Sequence, residues 1–104
     1  MSRSTTATAA VTSDGMSRGL VTVEFVVPSY VGGSYADLVA EFVSWVPLPM
    51  DLRVNGDFVV TVRLQAGRRW RYRFLIDGER WVNDFDADEF VSHPDGGDMS
   101  VLRT

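Results

Sequence analysis

The chain is 104 residues long, 45% hydrophobic and 23% charged, which fits one small soluble domain and excludes two. There is no cysteine, so disulfides, thiolate nucleophiles and cysteine metal sites are excluded together; all ten basic residues are arginine, which excludes a lysine Schiff base and a phosphate-loop lysine. A formal charge of -4 argues against electrostatic capture of nucleic acid or anionic lipid, and a core this small favours a surface site over a deep catalytic cavity.

Residues 1–19, MSRSTTATAAVTSDGMSRG, are small and polar, with no apolar run able to pack, and they predict a disordered tail ahead of a single module over residues 20–104. Met-Ser-Arg occurs at Met1 and again at Met16, which makes Met16 an alternative start. Neither a signal-peptide core nor a membrane-length apolar run is present, so the expected location is cytoplasmic.

From Leu20 the pattern turns to short segments of strand period. Leu20 to Val27 is rich in Val and Phe and closes on Pro28. A second strand is predicted over Tyr35 to Ala40, followed by Glu41-Phe42-Val43-Ser44-Trp45 and a connection made irregular by Pro47 and Pro49. Asn55-Gly56-Asp57 is a hairpin signal, and beyond it Phe58, Val60, Val62 and Leu64 share one face of a strand. The clearest alternation runs from Arg68 to Asp77. It sends Trp70, Tyr72, Phe74 and Ile76 to the core, and Arg69, Arg71, Arg73 and Leu75 outward. Asp77-Gly78 marks another turn, Arg80 to Val82 a short strand and Met99 to Leu102 the last one. No segment keeps a helical period, and about seven short strands at this spacing predict an all-β, antiparallel β-sandwich.

Catalysis finds little footing. His93, the sole histidine, lies in Ser92-His93-Pro94-Asp95 without a nucleophile elbow or ordering motif, as a solvated loop histidine would. Asp84, Asp86, Asp88 and Glu89 offer oxygen ligands at calcium-like spacing, yet Glu89 stands where the sharp-turn glycine belongs; turn capping through backbone N–H groups is the better reading, so no metal and no cofactor are expected. Arg68, Arg69, Arg71, Arg73 and Arg80 interleave with aromatics as in single-strand nucleic-acid sites, but Asp77, Glu79, Asp84 and Asp86 cancel most of their field. Among the tryptophans, Trp70 belongs to the core series. Trp45 and Trp81 each lie just off a strand in a turn-rich context, where an open indole face can stack on the C–H face of a sugar ring, with ordinary partial burial as the alternative.

Phe42-x-x-Trp45, Pro49-Met50, Gly56-Asp57-Phe58, Gly67, Tyr72-Arg73-Phe74-Leu75-Ile76-Asp77-Gly78, Trp81-Val82-Asn83-Asp84 and Asp86-Ala87-Asp88 stand in the order of one module. Together they resemble carbohydrate-binding module family 48, over about Leu20 to Leu102. The resemblance implies an immunoglobulin-like (early-set) sandwich and a non-catalytic module that binds α-glucans such as glycogen, starch or maltooligosaccharides on an open face. It implies stacking by Trp45 and Trp81, hydrogen bonding by Arg73, and carbohydrate contacts from Asn83 and Ser100. This chain departs from the family pattern at Val43 and Met99, where asparagines are usual, and at Phe85, where proline is usual. The alternative implied by those departures is a protein-interaction or adaptor module of the same fold, partnering a glycogen-metabolism enzyme or a kinase, with Val43, Met99 and the exposed aromatics as an apolar patch.

Overall fold

The computed structural model describes residues 8–13, 19–92 and 97–104, with side chains described from residue 19 onward. The described residues form an antiparallel β-sandwich of ten strands: β1 (Thr8–Ser13), β2 (Leu20–Val27), β3 (Ala36–Ala40), β4 (Leu48–Pro49), β5 (Asp51–Leu52), β6 (Phe58–Gln65), β7 (Arg69–Ile76), β8 (Arg80–Val82), β9 (Glu89–Ser92) and β10 (Asp98–Arg103). One sheet has the order β1-β2-β6-β5, and the other β4-β3-β7-β10-β9 with β8 also paired to β7. The helical content is two single turns of 3-10 helix, Ser29–Val31 and Glu41–Val43. No helix among the described residues is long and apolar enough to cross a membrane.

The core follows from strand period. In β2 the inward residues Val21, Val23, Phe25 and Val27 sit opposite Leu64, Val62, Val60 and Phe58 of β6, so two apolar rows share one face. In the facing sheet Tyr72, Phe74 and Ile76 of β7 point inward beside Leu38 and Ala36 of β3. Phe25 joins the layers: its ring lies 5.2 Å from Tyr72 in edge contact, 6.4 Å from Phe74, and 5.7 Å from Phe42 in a stacked arrangement. Such pairs add about 0.5–1.5 kcal/mol each beyond the area they bury.

Three expectations change. Residues 8–13, inside the segment read as disordered, form β1 and pair with β2 from Thr8↔Val26 to Ser13↔Val21. Joining an open sheet edge satisfies backbone groups whatever the side chains, and Thr8 to Ser13 shows no polar–apolar alternation to announce a strand. Strand β9 lies in the stretch read as acidic turns and loop; it pairs with β10, with a half-open intermediate-exposed alternation. The connection through Pro47 and Pro49 carries two short strands: β4 edges one sheet, and after buried Met50 the chain crosses to the other as β5. Proline is tolerated in β4 because it is an edge strand.

Strand β7 organises everything that follows. Its first half pairs with β10 and its second half with β8 on the same side, while β3 runs along the other. Its outward residues therefore lie between β3 on one flank and β8 with β10 on the other.

Candidate functional site

Trp45 reaches the outer face of the second sheet through an unusual backbone. After β3 the 3-10 turn ends with Ser44 at φ 55° and Trp45 at φ 64°, both in the left-handed region that non-glycine residues avoid. Three hydrogen bonds hold it: Ser44 N–H to Glu41 O at 3.0 Å, Trp45 N–H to Ala40 O at 2.9 Å and Val46 N–H to Val43 O at 3.1 Å. A bulky residue kept there costs on the order of 1–3 kcal/mol, and such strain concentrates at functional positions. The indole remains 42% exposed, with the Arg71 guanidinium 5.6 Å from its centre. Arg71 is fixed in turn by Glu41, whose carboxylate accepts the Arg71 backbone N–H at 2.8 Å and pairs with Nη2 at 3.1 Å. The hydrogen bond from Arg71 holds the Glu41 carboxyl below the usual carboxylate range.

Trp81 arrives from the other flank. Asp77 and Gly78, at φ 55° and 72°, lead a three-residue hairpin loop closed by the Glu79 N–H to the Ile76 carbonyl at 3.1 Å, and Trp81 of β8 lands opposite Leu75 on the outward row. The Asp77 carboxylate accepts backbone N–H groups of Ser34 and Tyr35, tying this turn to the loop before β3. Trp81 is 48% exposed, and the Arg73 guanidinium lies 4.5 Å from its ring centre. Arg69 and Arg71 on the same row are ion-paired, to Glu89 and Glu41. Arg73 has no acceptor among the described residues, and its Nε is buried without a partner. The guanidinium lies close to Gly97, where an added Cβ would stand 3.5 Å from Nη1.

The remaining sequence candidates take other places. Asn83 is half-buried; its Nδ2 donates to the Asp98 carbonyl at 2.9 Å and its Oδ1 accepts from Ser100 Oγ at 3.1 Å. Ser100, expected to contact sugar, has no exposed surface: opposite inward Tyr72, its hydroxyl accepts the Asp84 N–H at 2.9 Å and positions Asn83 from behind. The expected apolar patch of Val43 and Met99 is corrected likewise, since Met99 is 2% exposed and Val43 packs against the core. His93, with Pro94 and Asp95, lies outside the described residues.

The acidic run is a capping structure. Asp84 has no exposed surface; it accepts the Tyr72 hydroxyl at 2.7 Å and the Asp86 N–H at 2.9 Å. Burial pushes its carboxyl up to about 6, against the lowering effect of the Tyr72 bond. The same burial pushes the Tyr72 phenol up, so it stays protonated as donor. Asp88 accepts the Arg103 N–H, and Glu89 bridges Arg69 and Arg103 at 2.8 and 2.7 Å. Among the described residues no group of carboxylates and histidine is placed to hold a metal.

No protein-family model matches the chain, and no curated protein sequence matches it. The site therefore rests on its geometry. That geometry is a diagonal: Trp45 beside Arg71 on the β3 flank, Trp81 beside Arg73 on the β8 flank, with β7 between them. Trp81 is one inter-strand step from β7, and Trp45 follows the turn beyond β3, so the two indoles occupy opposite flanks of that strand. Sequence reasoning missed a pocket of about 390 Å³ next to Trp81, lined also by Val82, Asn83, Phe85, Phe90 and Asp98. Its signal was faint: Phe90 sits in the unrecognised strand β9, and Asp98 begins β10 among polar residues.

Proposed function

We propose that this chain is a non-catalytic α-glucan-binding module, with Trp45 and Trp81 stacking on sugar rings and Arg73 donating to ring hydroxyls. The observation that carries the reading is Arg73: an outward guanidinium, stacked on a half-exposed tryptophan and lacking an acceptor among the described residues, beside neighbours that are ion-paired. An uncompensated donor next to an open aromatic face suits a ligand that offers C–H faces and hydroxyls together. Tryptophans on opposite flanks of β7 suit a chain of several hexose units rather than a monosaccharide. A protein-binding reading of the same face has less support, because Met99 is buried and Val43 packs on the core.

Co-sedimentation with glycogen and calorimetric titration with β-cyclodextrin test the proposal. Trp45→Ala should weaken binding by about tenfold, as loss of an aromatic stacking surface worth about 1.4 kcal/mol requires. No binding of the intact protein at about millimolar ligand, or binding unchanged in Trp45→Ala, overturns it.

A further inference from the structure

The pocket beside Trp81 lies off the diagonal of tryptophans, and its lining is chemically mixed in a particular way. Trp81, Phe85 and Phe90 are each close to half exposed, at 48%, 46% and 46%, and they meet around about 390 Å³, within the range of small-molecule sites. Between these rings stand two polar groups. The Asp98 carboxylate has no hydrogen bond or ion pair among the described residues, although its backbone carbonyl holds Asn83. The Asn83 amide spends one N–H on that carbonyl and one acceptor position on Ser100, leaving one of each for a ligand.

We infer that this pocket is a second sugar subsite, which takes one neutral hexose unit of a linear α-glucan whose neighbouring units lie on the tryptophan face. The inference rests on the glucan reading above. Three aromatic walls match the apolar faces of a pyranose, and a carboxylate without a partner among the described residues accepts hydrogen bonds from the hydroxyls at the sugar's rim. No arginine is among the described residues that line the pocket, so a phosphorylated or carboxylated sugar meets the like charge of Asp98 there. Trp81 belongs both to the pocket and to the outer face, which makes the two surfaces continuous. A chain that uses both must leave the plane of the outer face at Trp81. A flexible linear glucan can do so; a closed ring cannot.

Maltoheptaose and β-cyclodextrin carry the same number of glucose units and differ in this ability, so titrating both against the full chain separates the two surfaces. Phe90→Ala and Asp98→Asn should each weaken maltoheptaose by about tenfold while leaving β-cyclodextrin within about twofold, whereas Trp45→Ala weakens both. Asp98→Asn keeps size and shape at an exposed position, so it serves even if Phe90→Ala disturbs β9. If both pocket variants bind the two ligands as the intact protein does, the subsite is refuted and the glucan reading stands. If the intact protein binds neither ligand, the glucan reading falls and the subsite with it. Binding of tetramethylammonium that Asp98→Asn abolishes, without competition from maltoheptaose, overturns the subsite in favour of a cation cage.

Discussion

Replacing Asp84 by asparagine should remove an inverted pH dependence of stability. The carboxylate is completely buried, and its two hydrogen bonds, from Tyr72 and the Asp86 backbone, offset the loss of hydration only in part. Burial raises its pKa from the ordinary 3.8 to about 6. The folded state therefore holds the proton more tightly than the unfolded chain. Stability grows as pH falls through about 6, and the gain is complete near 3.8. At about 1.36 kcal/mol for each pH unit, the interval is worth at most about 3 kcal/mol, a large part of the ~5–15 kcal/mol that stabilises a typical domain. Glu41 and Glu89 act in the opposite sense: hydrogen bonds from Arg71, and from Arg103 and Arg69, hold them below their ordinary 4.5, so their contribution is present above that value and lost as pH falls below it. Both are ion pairs with largely solvated arginines and contribute little. Urea unfolding at intervals from pH 4.5 to 7.5, a range set by these values, should show the intact protein gaining stability on acidification toward about pH 5. Asp84→Asn, which keeps the side-chain shape and an acceptor for Asp86, should lose that slope and match or exceed the intact protein at pH 7. A flat or falling profile in the intact protein over this range, or an unchanged slope in the variant, refutes the reasoning.

Two further substitutions probe the supports of the site. Ser44→Gly removes a Cβ from a left-handed position; relief of ~1–2 kcal/mol, less the ~0.5–1 kcal/mol of extra chain freedom in the unfolded state, should leave the protein more stable by about 0.5 kcal/mol in thermal melts. A destabilised variant would mean that the serine hydroxyl carries a contact the geometry does not reveal. Ser100→Ala strips the buried Asp84 N–H of its acceptor and Asn83 of a partner, and should cost about 1–3 kcal/mol in urea unfolding; a loss below about 0.5 kcal/mol would show that the network repacks.

Much of the sandwich was legible because strand period sorts side chains to faces without knowledge of their partners. The stretch Leu20 to Val27 reads as a strand and is one, residue for residue, and the alternation through Trp70, Tyr72, Phe74 and Ile76 places the arginines outward as found. Strand β1 was not legible, because its contribution is a backbone ladder along β2. Strand β9 was hidden by its polar flanks and half-open faces. In the candidate site, the exposure of Trp45 and Trp81 agrees with their turn-rich contexts, whereas Ser100 misleads: the family resemblance implied a sugar contact, but pairing with Tyr72 turns it into the core.

The sequence by itself determined an all-β chain, its two hydrophobic faces and the outward row of arginines, since these depend on spacing within single strands. Which of those arginines is neutralised was decided only by the tertiary structure. Glu41 comes to Arg71 from thirty residues away, and Glu89 to Arg69 from twenty, through the pairing of separate strands and turns. The same distant pairing leaves Arg73 beside Trp81 without an acceptor among the described residues and sinks Asp84 beneath Tyr72. Charges that look alike in the sequence acquire different chemistry because desolvation and partnership are properties of the folded neighbourhood.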